Sequence, residues 1–215
     1  MDRSAIVLAG GSSSRMGIDK GLLELAGKPL LVHVIDAIKD SVDQIVVVTN
    51  SHERVEEYSK LALAYAQFTI DQSDIQSPLI GAMSGFGVAM GRYSILLPFD
   101  TPFISDEIVS LLFEICVGKA ACVPKHPNGQ IEPLCAVYET VVALECSKRA
   151  VAEGRLDMRG MIEKMCGVRY VSTLVLQQLD PNFQTFLNIN TRADLKRAEI
   201  LMREQNRAKP QSPKT

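Results

Sequence analysis

Arg15 and Lys20 follow a glycine turn in the run Leu8-Ala9-Gly10-Gly11-Ser12-Ser13-Ser14-Arg15-Met16-Gly17-Ile18-Asp19-Lys20, an order suited to grasping a phosphate chain. Small residues let backbone N–H groups approach an anionic oxygen without side-chain clash. An arginine can fork onto two phosphate oxygens, and a lysine adds a compact point charge. Two cations on one loop suit a triphosphate. Because the next glycine after Gly11 is Gly17, the spacing fits neither G-x-x-x-x-G-K-[ST] nor G-x-G-x-x-G. Taken alone, the same residues also describe a solvated glycine-serine surface turn.

A second group with chemical potential is Asp100, in Leu96-Leu97-Pro98-Phe99-Asp100-Thr101-Pro102-Phe103. The apolar run reads as a strand that delivers the carboxylate to its carboxyl end, with prolines stiffening the corner. A hard Mg²⁺ prefers oxygen ligands and commonly takes one or two carboxylates together with phosphate oxygens and waters. The competing role, capping a turn, is weakened because this strand leads to the same sheet edge as the glycine loop. His33, His52 and His126 share no metal-ligand spacing and are read as helix-face or loop residues. Arg155 and Arg159 either meet an anionic acceptor or form an exposed pair.

The elements that must position these groups alternate. Arg3 to Ala9 reads as a buried strand ending at the glycine turn, Pro29 to Lys39 as a helix with proline at its first position, and Gln44 to Thr49 as a β-branched strand. A helix around Glu53 to Leu63, a strand at Ala66 to Ile70, a small-residue helix from Pro78 to Met90 and a strand from Tyr93 to Phe99 follow. Ser105 caps the next helix, ahead of Asp106 and Glu107. Ala120 to Pro124 and Pro133 to Tyr138 are strand candidates separated by HPNGQ, followed by a helix over Glu139 to Glu153 and a last helix begun by Thr191, with Asp194 in its first turn. Alternating strands and helices predict an α/β fold, a Rossmann-like three-layer sandwich around a mostly parallel sheet. Ligands of such sheets bind outside the strands' carboxyl ends.

Composition bounds the rest. The 215 residues, 47% hydrophobic and 22% charged, suit one well-buried domain, expected over residues 1–204, with a disordered and dispensable tail over 205–215. A net charge of −2 provides no global field for nucleic acid or an anionic membrane, so any anion site is a local concentration of cations such as Arg15, Lys20 and Lys28. Cys116, Cys122, Cys135, Cys146 and Cys166 form no C-x-x-C pair, and with no signal peptide in view they read as reduced thiols in a cytoplasm. No apolar run approaches the roughly 18 to 20 residues that span a bilayer.

With these motifs in place, residues 4 to 203 resemble the molybdenum cofactor guanylyltransferases, the MobA-type members of the nucleotidyltransferase family. The resemblance implies a nucleotidyltransferase-type fold. It also implies that Leu8, Ala9, Gly10 and Gly11 cradle a guanosine nucleotide, that Arg15 and Lys20 contact its phosphates, and that Asp100 in the P-x-D-x-P-F motif holds Mg²⁺. Asn50 and Asp71, each following a strand, match positions that contact the nucleotide, or else serve their turns. Phe186-Leu187-Asn188-Ile189-Asn190-Thr191 is similar to the F-x-N-x-N-T signature, whose asparagines, here Asn188 and Asn190, face the acceptor. Alternating on a strand they would point the same way; the other role open to them is satisfying backbone groups at a strand-helix junction. Where relatives commonly carry G-P-L-A-G, this chain has Ser77-Pro78-Leu79-Ile80-Gly81. Gly10, alanine in the LAAG of cytidylyl-transferring relatives, leaves room for a purine edge.

The implied reaction is transfer of GMP from GTP to the terminal phosphate of molybdenum-bound molybdopterin, with pyrophosphate released and a delivery partner for the unstable acceptor. Lys20 then stabilises the α-phosphate, Arg15 the departing pyrophosphate, and Mg²⁺ bridges phosphate oxygens. The alternatives are a cytidylyl- or sugar-phosphate nucleotidyltransferase and a non-catalytic GTP-binding module.

Overall fold

The computed structural model describes residues 1–10, 20–61, 63, 65–71, 73 and 75–208, the last three by backbone alone. Gly11 and Arg15, both expected at the nucleotide, lie outside the described residues. In chain order the elements begin with β1 (Arg3–Leu8), β2 (Glu24–Leu25), β3 (Lys28–Pro29), α1 (Leu30–Ile38), β4 (Gln44–Thr49), α2 (His52–Ser59), β5 (Ala66–Ile70), α3 (Pro78–Val88) and β6 (Tyr93–Pro98). They continue with α4 (Asp106–Cys116), β7 (Ala121–Lys125), β8 (Ala136–Glu139), α5 (Thr140–Ala152), α6 (Met158–Ile162), β9 (Val168–Ser172), α7 (Thr173–Leu176) and α8 (Arg192–Ala208).

Seven strands form one sheet in the order β5-β4-β1-β6-β8-β7-β9. All neighbours are parallel except at β8, which runs antiparallel to both β6 and β7. The predicted mostly parallel three-layer α/β sandwich is therefore what the chain forms. Strand alternation sorts the core into two faces. Ala5 and Val7 of β1 face the layer holding α1 and α4, whereas Ile6 faces α3, α5 and α6.

Close packing of α3 on β1 depends on Gly85. A Cβ there would overlap Ile6 Cγ2 and stand 3.1 Å from Val48 Cγ2, so the missing side chain sets the helix height over the sheet. At the opposite, amino-terminal edge, buried polar groups satisfy one another. Ser4 Oγ donates to Gln44 Oε1 at 2.8 Å and accepts from Gly91 N–H at 2.8 Å.

Several boundaries differ from the sequence reading. Pro29, expected inside a helix, closes β3 opposite Glu24 with φ −56° and ψ 145°, and α1 starts one residue later. The β2–β3 hairpin turns through Ala26 and Gly27, at φ 52° and 78°, the double left-handed turn that suits the twist of a two-residue loop. α2 stops at Ser59, short of Leu63, as Lys60 N–H bonds back to the Glu57 carbonyl in a tight 3₁₀-like closure. β9, α6 and α7 had no clear periodic signal. The boundary expected at Gln205 also moves: α8 runs to Ala208, and Gln205 Nε2 donates to Gln184 Oε1 at 2.6 Å. No described helix is long and apolar enough to cross a membrane.

Candidate active site

β1 has β4 on one side and β6 on the other, and the chain runs outward from β1 to β4 but from β6 towards β7, so the strand order reverses here, the place where ligands of such sheets bind at the strands' carboxyl ends. A cavity of about 380 Å³ lies there, within the usual range for small-molecule sites. Leu8 and Gly10 line it from β1, Thr49 and Asn50 from β4, Asp71 from the end of β5, Asp100 from the end of β6, and Ser77, Pro78 and Gly81 from α3.

Ala9 is fully buried, and its N–H continues β1 by donating to the Val48 carbonyl at 2.8 Å. Arg54 Nη1 donates to the Ala9 carbonyl at 3.2 Å. Because the peptide is trans and planar, the Gly10 N–H points to the side opposite that carbonyl, away from Arg54. Sequence reasoning missed Arg54. The available signal was Ser51, whose side chain accepts from Arg54 N–H and starts α2 directly after Asn50.

Asp71 and Ser77 both have local structural duties. Asp71 Oδ1 accepts from Ser73 N–H at 3.0 Å, an Asx-type turn, while its own N–H donates to the Thr49 carbonyl at 2.8 Å. Ser77 caps α3 by accepting from Ile80 N–H at 3.2 Å. That cap is a local role for the Ser77 side chain, and it leaves the positive end of α3 at the cavity. A Cβ on Gly81 would stand 3.4 Å from Leu8 Cδ2. A Cβ on Gly10 would meet Asn50 Cβ at 3.6 Å, an ordinary contact.

Asp100 sits in a rigid corner. Phe99 N–H donates to the Leu8 carbonyl at 3.2 Å, and Thr101 Oγ1 donates to the Pro98 carbonyl at 3.0 Å. Burial pushes the Asp100 carboxyl above the usual carboxylate range, and the nearby Lys20 ammonium opposes that shift. Ile189 N–H donates to the Asp100 carbonyl at 2.9 Å, and Lys20 Nζ donates to Asn190 Oδ1 at 3.0 Å, 170 positions away. Lys20, Asp100 and Asn190 thus converge from three distant parts of the chain.

Asn188 and Asn190 were expected on a strand, but residues 187–190 form none. Their alternation survives all the same, with both exposed and Ile189 buried between them. The segment is held by side chains instead. Asp194 Oδ2 accepts from Asn190 N–H at 3.0 Å and Thr191 N–H at 2.8 Å, while Thr191 Oγ1 accepts from Asp194 N–H at 3.1 Å. The Thr191 hydroxyl also donates to Asp194 Oδ2 at 2.9 Å, and this bond, followed by the two backbone N–H bonds, holds the Asp194 carboxyl below its usual range.

Arg155 is paired with Asp157 and Glu163, each at 3.2 Å, and does not line the cavity. His33 Nε2 bonds the Leu25 carbonyl at 2.8 Å, a structural helix-face role. Among the described residues no three His, Cys, Asp or Glu side chains gather to enclose a metal.

Residues 5–166 match the MobA-like NTP transferase domain family. A probable molybdenum cofactor guanylyltransferase of Methanosarcina mazei is 33% identical over 198 residues, covering 90% of this chain and 88% of that protein. The molybdenum cofactor guanylyltransferase of Desulfosudis oleivorans is 29% identical, covering 93% and 96%. Among solved structures, molybdopterin-guanine dinucleotide biosynthesis protein A from Archaeoglobus fulgidus superposes with a TM-score of 0.79 at 27% identity, covering 94% of this chain and 99% of that one. A 2-C-methyl-D-erythritol 4-phosphate cytidylyltransferase from Thermus thermophilus, at 18% identity and a TM-score of 0.68, shares the fold.

Proposed function

The chain belongs to the MobA-like NTP transferase family, and on that premise we propose that it transfers GMP from GTP to the terminal phosphate of molybdenum-bound molybdopterin, releasing pyrophosphate. The observation that carries this reading is the meeting of Lys20, Asp100 and Asn190 beside a nucleotide-sized cavity.

The acceptor phosphate is an anion at neutral pH and needs no strong general base. Catalysis is therefore in-line positioning and neutralisation of charge. Leu8, Ala9, Gly10 and Gly11 cradle the nucleotide, with Asn50 and Asp71 on its flank. Lys20 neutralises the α-phosphate, Arg15 holds the departing pyrophosphate, and Asn188 and Asn190 orient the acceptor.

Mg²⁺ fits this donor set. Asp100 is a half-buried carboxylate whose charge is disfavoured by burial, and a hard cation satisfied by one carboxylate takes its other oxygens from phosphates and water. Bound there, the ion neutralises phosphate charge. Five unpaired cysteines are in keeping with a reducing cytoplasm as the place of work, and a protein that delivers the oxygen-sensitive pterin is the expected transient partner.

The test is pyrophosphate release with Mg²⁺ and molybdenum-loaded pterin, with GTP and CTP offered in parallel. Release confined to GTP is expected. A preference for CTP overturns the base assignment, and no release with either overturns the transfer reading.

A further inference from the structure

Outside the cavity lining, but at the same carboxyl edge, lies a cluster that nucleotide binding does not use. His126 follows β7, and its Nε2 bonds Glu132 Oε1 at 2.8 Å while Nδ1 lies 3.4 Å from Thr173 Oγ1. One tautomer serves both contacts, with Nε2–H donating to the carboxylate and Nδ1 accepting from the hydroxyl. The imidazole also meets Phe183 and Phe186, each at 5.9 Å between centroids, and those two rings are 5.4 Å apart. Phe183 holds φ 56°, a strained backbone for an aromatic residue. The Thr185 hydroxyl is buried with no partner among the described residues. The segment so arranged leads directly into Asn188 and Asn190. Leu134, two residues after Glu132, lines the nucleotide cavity.

We propose that Glu132, oriented by the His126 ring that packs on Phe183 and Phe186, binds the heterocycle of the acceptor through its 2-amino-4-oxopyrimidine edge. That edge presents adjacent ring N–H and amino donors, matching the two oxygens of a carboxylate. The Glu132 side chain remains 27% exposed, and Oε1, which already accepts from His126, keeps a second lone pair. Guanine carries the same edge, but Glu132 is not among the residues lining the nucleotide cavity, so the contact is assigned to the pterin. The proposal rests on the guanylyltransferase reading.

The experiment compares the full chain with Glu132→Gln in pyrophosphate release, varying GTP and molybdenum-loaded pterin separately. A rise of about tenfold or more in the KM for the pterin is expected, the usual effect of losing hydrogen bonds to a charged group, with the KM for GTP unchanged. A rise confined to GTP assigns the edge to guanine and overturns the proposal, as does an active variant with both KM values unchanged. A fluorescence titration with free pterin and with lumazine, which lacks the 2-amino group, is independent of turnover. The parent prefers pterin and the variant loses that preference; equal binding of the two by the parent overturns the contact. A parent that releases no pyrophosphate refutes the transfer reading, and the titration still decides the contact.

Discussion

The two sides of β1 build their shares of the site by different means. Towards β4 and β5, the fully buried β4 and the partly exposed edge strand β5 end in a turn, a helix cap and glycines, so backbone geometry does the positioning. Towards β6 and beyond, the sheet reverses at β8, and the long-range side-chain bond from Lys20 to Asn190, with the Asp194 carboxylate capping the Asn190 segment, holds the site together. A backbone-built half tolerates most side-chain changes but not added bulk at its close approaches. A half held by side chains keeps its fold through substitutions that remove its chemistry.

Five substitutions probe that contrast. Asp100→Ala, on the side-chain half, is expected to lower Mg²⁺-dependent turnover by at least about 100-fold while circular dichroism stays that of the parent; unchanged turnover refutes the metal role. Lys20→Ala is expected to slow the chemical step more than it weakens GTP binding, by about 100-fold in single turnover, and equal single-turnover rates refute its placement. On the backbone half, Gly85→Ala pushes a methyl into Ile6 Cγ2 and is expected to lower stability by about 1–3 kcal/mol in urea unfolding; an unchanged midpoint refutes the close approach. Arg54→Ala frees the Ala9 carbonyl and is expected to raise the KM for GTP about tenfold with the pterin KM unmoved, while Arg54→Lys recovers part of the loss.

The smallest effect belongs to Asp194. Its carboxyl is held below the usual range, so the stability it contributes is present above the ordinary aspartate pKa and is lost as pH falls through the lowered one. Asp194→Ala is expected to melt below the parent at neutral pH, and the difference should close as the medium is acidified past that range. A gap that persists in acid assigns the cap to something other than the ionised carboxylate.

Legibility in the sequence follows the same division. Strands such as Ile45-Val46-Val47-Val48 and Tyr93 to Leu97 are buried on both faces, and their continuous apolar runs announce themselves. Ser105 could be read as a helix start because a cap is a local event. The reversal at β8 could not, since strand direction depends on partners far along the chain. β9 escaped for a related reason: Arg169 and Tyr170 stay exposed at the sheet edge, leaving little apolar pattern in Val168–Ser172. At the site, Lys20, Asp100 and Asn190 were each picked out by motif, but the hydrogen bond joining Lys20 to Asn190 has no local signature. Ser51 marks where α2 starts, but the contact that gives Arg54 its role is with a backbone carbonyl 45 positions earlier and has no local signature.

The link between Lys20 and Asn190 also sets an order of events during synthesis. A nascent chain emerges amino terminus first, so the residues that wall the cavity from β1 and β4 are made well before Asn190. A partly synthesised chain therefore carries the cavity-lining residues of β1, β4 and α3 but lacks the segment that meets Lys20. The cluster around Asp100 is complete only once the residues just before α8 are in place, so the last part of the chain to be made is the part that finishes it.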